Sequence, residues 1–290
     1  MKKFEYSFSA LGTGCLISVI NENDENLNKI INNCYNKTLS FEQEFSRFRT
    51  DSVLSKLNKE KRLKVSEDFL SLVYKSREIY KLTNAYFNPL IDVRKIGYIN
   101  DFDKKEFRKL EINEDLSFDK VKNYGDELEI GENMNLDFGS IAKGFLAQKL
   151  SDYLTEKGYK NNLVNLGGDI YASGLNLEGK KWQIAISSPF LENENIDIIE
   201  ISNESISTSG IYKRKWKIDG KKYHHIRNPF SSKTQNEIVS ASIIHQFGYM
   251  TDGLATGVIA MGKQKAIDFC KNSNIKFMFI FNDGKILKEI

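Results

Sequence analysis

The stretch from Leu136 to Leu150, Leu-Asp-Phe-Gly-Ser-Ile-Ala-Lys-Gly-Phe-Leu-Ala-Gln-Lys-Leu, constrains the fold more than any other. Its pattern predicts a strand end carrying Asp137, a tight turn at Gly139-Ser140, and then a helix. Ile141, Phe145, Leu146, Leu150 and Leu154 fall on one face of that helix. A turn into a helix N-terminus presents backbone N–H groups with no partner inside the helix, which favours an anion such as a phosphate. Lys143 falls in the first turn, where a cation opposes the helix dipole, and that local cost points to a negatively charged ligand. An ordinary strand-to-helix turn with a solvated lysine fits these residues equally well.

Around this stretch the chain alternates helical and strand patterns. Two short strands are expected from Tyr6 to Ile20 around Gly12-Thr13-Gly14. A long helix from Glu25 to Phe48 follows, with Ile30, Cys34, Phe41, Phe45 and Phe48 on its stripe. Asp51-Ser52 opens a short helix through Leu57, and Ser66 caps another carrying Phe69, Leu70, Val73 and Tyr80. Asn84 to Pro89 reads as a turn exposing aromatics, and residues 95–133 as short strands and excursions.

Beyond the central helix the chain becomes rich in strands. Leu163 to Ile170 is a strand broken by paired glycines, and Trp182 to Ser187 and Ile196 to Ile201 are strands. Trp216 to Ile226 has a hairpin signature, with Asp219-Gly220 suited to a type I′ turn. Ile238 to His245 alternates as a strand. Thr251 to Met261 and Lys263 to Cys270 are helical, and a last hairpin turns at Asp283-Gly284. Neighbouring hairpins with separate helices predict an α+β fold rather than a doubly wound parallel sheet. No domain boundary is visible in residues 1–290.

Composition narrows the function. With 290 residues the chain can bury a substantial core, and its net charge of +3 is too small and too evenly spread to argue for nucleic acid. Cys15, Cys34 and Cys270 are far apart inside apolar patterns, so buried free thiols are expected rather than disulfides. Three histidines without a His/Cys cluster argue against zinc. No apolar run is long enough for a membrane span. Glu5, Ser7 and Ser9 interrupt what would be a signal peptide's apolar region. The expected location is therefore cytoplasmic, or exported and membrane-anchored if a signal has been removed.

Four stretches combine small residues with polar groups: Leu136–Gly144, Asn165–Gly174, Ser207–Tyr212 and Thr251–Gly257. Gly167-Gly168 before Asp169 lets a backbone approach a ligand closely, or makes a bulge with a capped turn. Asp252 and Thr256 are four apart, so on a helix both oxygens face one side. A carboxylate and a hydroxyl at that spacing suit a hard divalent cation; an N-cap Asp followed by a back-bonded Thr is the structural alternative. His225 is a candidate general base because its pKa lies near working pH, although a lone strand histidine is more often structural.

The order of these blocks resembles the ApbE family of FAD:protein FMN transferases nearly end to end. The matching blocks are Leu11-Gly-Thr13, Phe45-Ser-Arg-Phe-Arg-Thr-Asp-Ser-Val-Leu-Ser55 with Leu57-Asn58, and Asn84-Ala-Tyr-Phe-Asn-Pro89. Then come Leu136-Asp-Phe-Gly-Ser-Ile-Ala-Lys-Gly144, Leu163-Val-Asn-Leu-Gly-Gly-Asp-Ile170, Ser207-Thr-Ser-Gly210, His224-His-Ile-Arg-Asn-Pro229 and Asp252-Gly-Leu-Ala-Thr-Gly257. The resemblance implies a single T-fold-related domain over residues 1–290, with mostly antiparallel sheets and packed helices. It implies Mg²⁺-dependent transfer of the FMN half of FAD to a Ser or Thr hydroxyl of an acceptor flavoprotein through a phosphoester, releasing AMP. Hydrolysis of FAD to FMN and AMP, and non-catalytic FAD binding, are the alternatives.

By the same resemblance, Asp252 and Thr256, with main-chain oxygens near Ser140 and Ala255, would hold magnesium. Leu11, Phe48, Tyr86, Phe87, Asn88, Asp137, Lys143 and Ile226 match positions that line FAD, and His225 matches the base that deprotonates the acceptor. Subunits of sodium-pumping NADH:quinone reductase or Rnf-type complexes, or flavin-carrying reductases, are the acceptors it suggests. The chain departs from the family pattern at Asn88 and Asn228, where Asp is usual, and at Ile211, where Asp commonly follows Ser-Gly. The usual Thr-Gly after Pro229 is absent from Phe230-Ser-Ser-Lys-Thr234.

Overall fold

Exposed and half-buried residues alternate along β1 (Lys2–Ala10), which pairs with β2 (Thr13–Asn21) through a two-residue turn. Both turn residues have positive φ, 56° at Leu11 and 67° at Gly12, as a type I′ hairpin requires. A leucine is strained there; its N–H is held by the Glu42 Oε2 at 2.8 Å. These observations come from a computed structural model. It describes residues 1–23, 25–90, 116–212, 215–218, 221–230 and 235–290, with backbone alone at 215–218 and 221–223.

The next elements are α1 (Leu27–Phe45), α2 (Val53–Glu60), β3 (Arg62–Lys64) and α3 (Glu67–Leu82). Ser52 and Ser66 cap α2 and α3 by accepting from the N–H of Ser55 and Phe69, each at 3.0 Å. The buried stripe of α1 is Leu27, Ile31, Cys34, Thr38, Phe41 and Phe45. The helix therefore stops before Phe48, which lies in the following turn and is 61% exposed. The short β4 (Lys122–Tyr124) and β5 (Glu127–Glu129) join β3 in a small sheet ordered β3-β5-β4. Of the 95–133 segment expected to form short strands, residues 95–115 lie outside the described residues.

α4 (Ala142–Glu156) is followed by β6 (Asn161–Leu166), β7 (Asp169–Ser173), β8 (Trp182–Ser187), β9 (Asn195–Ile201) and β10 (Glu204–Gly210). β11 (Lys215–Ile218) and β12 (Lys221–His224) pair as the expected hairpin, whose Asp219-Gly220 turn lies outside the described residues. The chain ends with β13 (Ile238–His245), α5 (Gly248–Met261), α6 (Lys263–Asn272), β14 (Lys276–Phe281) and β15 (Ile286–Glu289).

Eight of these strands form one sheet, ordered β1-β2-β6-β7-β10-β13-β14-β15, with every neighbouring pair antiparallel. The helices cover one face over a core that includes Ile17, Val19, Phe41, Phe45, Phe145, Leu254 and Phe279. The β8–β9 ribbon covers the other, packing Trp182, Ile184, Ile199 and Ile201 on Ile20, Ile170, Ile206 and Met278. This is the α+β arrangement expected from the hairpins. The three cysteines are buried free thiols.

Two elements position the functional residues. The paired glycines after Leu166 are not a break within a strand; they are the turn between β6 and β7, with φ of 70° at Gly167 and 100° at Gly168. α5 is buried on almost every side, with Thr256 its one half-exposed residue. A helix this apolar belongs in the core. Its glycines let neighbours in: a Cβ at Gly253 would lie 2.4 Å from the Ile79 Cδ1, and one at Gly257 would lie 3.3 Å from the Phe87 Cβ. Among the described residues, no helix is long and apolar enough to cross a membrane.

Candidate active site

The segment into α4 differs from its sequence expectation in two ways. Leu136 and Asp137 are not in a strand. Leu136 instead meets the side chain of Asn58, which accepts from its N–H at 2.7 Å and donates to its carbonyl at 2.8 Å. Asp137 donates its N–H to the Pro89 carbonyl at 2.8 Å, so the Asn84–Pro89 turn and the loop before α4 are joined directly. Side-chain amides do here what a neighbouring strand would do.

Second, the anion at the α4 N-terminus belongs to the protein. Ile141 offers no side-chain cap, and the Gly144 N–H in the first turn donates to the Asp252 Oδ2 at 3.1 Å. Asp252 reaches it because α4 and α5 cross where both helices carry glycine. A Cβ at Gly144 would lie 2.1 Å from the Gly248 carbonyl oxygen, and one at Gly248 would lie 2.1 Å from that of Gly144. Asp252 is 4% exposed. Burial raises the proton affinity of its carboxyl, the Asp169 charge raises it further, and Lys143 and the helix N–H groups oppose both.

Lys143 forms an ion pair with Asp169, the first residue after the Gly167-Gly168 turn. The cation that opposed the α4 dipole thus has a partner on a neighbouring hairpin. Asp169, Lys143, Asp252 and Gly144 make one electrostatic unit with two carboxylates and one ammonium, an excess of negative charge that suits a cation. Hydroxyls line the adjacent face of α5. Ser205 and Ser207 lie 3.0 and 2.9 Å from the Thr251 Oγ1, and Ser209 Oγ lies 3.1 Å from the Thr256 Oγ1. Alternation along β10 sends these three serines to the same side.

The donors are carboxylate, hydroxyl and main-chain oxygen, without thiolate or imidazole at Asp252. This fits a hard ion such as Mg²⁺. Among the described residues no group of three or more His, Cys, Asp and Glu side chains forms a metal cage. Ser140 sits half-buried in the turn before α4. Ala255 is fully buried within α5, where only its carbonyl oxygen could contribute, and helical carbonyls already accept from the next turn.

The residues matched to FAD divide by environment. Asp137 accepts from the Gly139 N–H at 2.9 Å and pairs with Arg47, whose guanidinium lies 4.8 Å from the exposed Phe48 ring. Tyr86 stands edge-on to Phe230 at 5.1 Å and accepts from the Lys265 ammonium at 2.7 Å. Phe87 differs from a lining residue: its side chain is 1% exposed and packs on α5, supporting the turn from beneath. The Asn88 amide bonds the Leu116 carbonyl and the Leu90 N–H, each at 3.0 Å, which stabilises its own loop. Ile226 is buried at 4% and donates its N–H to the His224 Nδ1 at 3.2 Å.

The β1–β2 hairpin that carries Leu11 at its turn lies against the Gly167-Gly168 turn. Thr13 packs where a Cβ on Gly167 would lie, 2.5 Å from the Thr13 Oγ1. The Cys15 thiol, pushed up mainly by burial, also feels Glu42 and Lys143. The two adjacent histidines have different jobs. His224 is 2% exposed, accepts from Ile226 through Nδ1 and donates from Nε2 to the Gln235 carbonyl at 2.8 Å. Burial lowers its pKa, so it is a neutral clamp, and His225 follows it half-buried on the loop.

Asp169 and Arg47 lie inside matching sequence blocks, but the sequence assigns neither a role of its own. Their signals were present, an acidic residue directly after a Gly-Gly turn and a basic one in Ser46-Arg-Phe-Arg49, but pairing with Lys143 and Asp137 is visible only in three dimensions.

Comparison with known proteins agrees with this arrangement. The model of the ApbE family matches residues 11–279. The chain belongs to the ApbE family. A Vibrio cholerae protein named FAD:protein FMN transferase is 33% identical over 156 residues, covering 53% of this chain and 47% of that protein. The chain thus matches under half the length of that relative. A Haemophilus influenzae protein of the same name is 25% identical over 264 residues, covering 84% of this chain and 76% of that one. In structure, the chain is similar to the flavin transferase ApbE from Vibrio cholerae, with a TM-score of 0.84, 24% identity and coverage of 99% and 96%. It is also similar to the ApbE protein from Thermotoga maritima, with a TM-score of 0.87, 23% identity and coverage of 99% and 97%. These likenesses establish a shared ApbE fold.

One consequence of the buried carboxyl is measurable without a ligand. In the metal-free protein, folded Asp252 holds its proton above the ordinary carboxyl value of 3.8, whereas the unfolded chain has released it. The folded state then binds more protons, so this group's contribution to stability falls as pH rises from about 4 towards neutrality. Asp252→Asn removes that slope. The melting temperature of the variant, relative to the wild type, should rise across this interval in chelator-treated protein.

Proposed function

We propose that the chain is a Mg²⁺-dependent FAD:protein FMN transferase. It moves the FMN moiety of FAD to a Ser or Thr hydroxyl of an acceptor flavoprotein and releases AMP. The observation that carries this reading is the buried Asp252 carboxylate, set on the N-terminus of α4 beside Lys143 and one helical turn from Thr256. A carboxylate held at such cost, on a helix that also carries the Thr256 hydroxyl and with no thiolate or imidazole beside it, suits a hard cation better than a scaffold role. The names of the similar Vibrio cholerae and Haemophilus influenzae proteins support the same reaction.

Asp252 and Thr256, with main-chain oxygen near Ser140, would hold the magnesium. The bound ion would neutralise diphosphate charge and make the phosphorus next to riboflavin more electrophilic. Lys143 supplies a second positive charge at the diphosphate. Arg47 fixes Asp137, and the exposed Phe48 ring offers a flat apolar surface to a ligand ring. His225 accepts the proton of the acceptor hydroxyl as its oxygen forms the new O–P bond. The P–O bond to the AMP half breaks, and AMP leaves with that bridging oxygen.

His225→Ala should slow transfer to protein by about 10²-fold while FAD affinity changes little, as expected for a general base rather than a binding residue. Incubation with FAD, Mg²⁺ and a flavin-carrying subunit of a sodium-pumping NADH:quinone reductase tests the reaction. Covalent flavin fluorescence on the denatured acceptor, with AMP formed in equal amount, is the expected result. Free FMN and AMP alone would instead make the protein an FAD pyrophosphatase, and intact FAD would make it a binding protein.

A further inference from the structure

Asp169 is the one charged group at the Asp252 site to which neither the sequence pattern nor the resemblance gave a role. The hairpin corner that carries it is tightly constrained. The turn before it has positive φ at both glycines, the Gly168 N–H donates to the Asn165 Oδ1 at 2.8 Å, and Thr13 fills the space beside Gly167. The Asp169 carboxylate thus projects from a fixed hairpin corner and its side chain is 7% exposed. Lys143, by contrast, is a long flexible side chain, 28% exposed.

We propose that Asp169 is a positioning residue: the rigid hairpin corner holds the Lys143 ammonium beside Asp252, ready for a diphosphate, instead of leaving it to swing into solvent. This rests on the reading of the site as one that binds FAD and a divalent ion. The chemical consequence is a division of labour. Lys143 contributes charge whether or not it is aimed, whereas Asp169 contributes only aim, since its own charge repels the substrate. Losing Asp169 should therefore damage turnover without weakening binding.

The test compares Asp169→Asn, Asp169→Glu, Lys143→Met and the Asp169→Asn/Lys143→Met double variant. AMP release from FAD gives kcat, KM and the Mg²⁺ concentration for half-maximal rate, and flavin fluorescence gives metal-free FAD affinity. Asp169→Asn should lower kcat at least about tenfold while metal-free affinity changes less than about threefold or tightens. The double variant should be no worse than Lys143→Met, because both changes remove one function. Asp169→Glu should recover turnover to within about threefold of the wild type, since it restores the charge near the ammonium.

Multiplying losses in the double variant would overturn the proposal, as would a raised Mg²⁺ requirement in Asp169→Asn, which would make Asp169 a metal ligand. Parallel loss of kcat and melting temperature, unrescued by Glu, would reduce it to a structural residue. A separate readout needs neither FAD nor metal: the rate at which an amine-reactive reagent labels Lys143. That rate should rise about fivefold or more in Asp169→Asn when the ion pair is removed. Unchanged labelling contradicts the positioning role even if the wild type releases AMP. Increased labelling with no AMP release from the wild type would retain the ion pair's role and reject the catalytic reading instead.

Discussion

Asp252→Ala abolishes magnesium-dependent AMP release from FAD and leaves the protein folded. Rate loss should be about 10³-fold or more, because the variant removes the sole carboxylate proposed to anchor the ion, and pre-organised charge is the largest contributor to phosphoryl transfer. Stability should change little, for two effects oppose each other. The variant no longer buries an ionisable carboxyl, which is favourable; it also leaves the Gly144 N–H without its 3.1 Å acceptor, which costs about 1–3 kcal/mol. Circular dichroism and a melting curve alongside AMP release separate the two. Unchanged AMP release would remove Asp252 from the mechanism, whereas an unfolded variant would make it a structural cap for α4.

Gly144→Ala should have the largest effect on stability of any single methyl group added near the site. The new Cβ would lie 2.1 Å from the Gly248 carbonyl oxygen and 2.8 Å from the Asp252 Cβ, so neither the backbone of α5 nor the root of the aspartate can move aside alone. The helices must separate, at a cost of about 3 kcal/mol. For a chain of this size that lowers the melting temperature by roughly 5 °C. Separation also pulls Asp252 from the α4 N-terminus, so activity should fall with stability. Gly14→Ala is the control: no atom lies within 4 Å of its added Cβ, and its stability should stay within about 0.5 kcal/mol of the wild type. Comparable melting temperatures for Gly144→Ala and Gly14→Ala would contradict the close helix crossing.

Local chemistry made much of this architecture readable beforehand. Ser52 and Ser66 announced their helices, hairpins were legible from alternation and turn residues, and the 3.6-residue period placed Asp252 and Thr256 on one side of α5. Failures arose where a long-range partner replaced a local one. Phe48 continued the helical period of α1, yet the helix ended at Phe45 and the ring went to the surface beside Arg47. Leu136 looked like a strand end, yet its partner is the Asn58 side chain, 78 residues earlier.

The site shows the same division. The sequence offered the α4 N-terminus and Lys143 either as a place for an anionic ligand or as an ordinary turn with a solvated lysine. Asp252 and Asp169 instead supply partners from elements 108 and 26 residues away. Periodicity describes one element's faces; it cannot say which carboxylate another element brings to them. Phe87 makes the point in reverse: the sequence read its turn as exposing aromatics and the family resemblance matched it to a flavin-lining position, whereas the glycines of α5 opened a place for it in the core.

The central claim is that Asp252 anchors a divalent ion in contact with the diphosphate of FAD. Replacing Mg²⁺ by Mn²⁺ and recording electron–nuclear coupling to ³¹P in wild-type protein and Asp252→Asn, each with FAD, tests it most directly. The account predicts one protein-bound Mn²⁺ with phosphorus coupling in the wild type, and loss of that bound signal in the variant. Equal Mn²⁺ binding and equal phosphorus coupling in both proteins would contradict it.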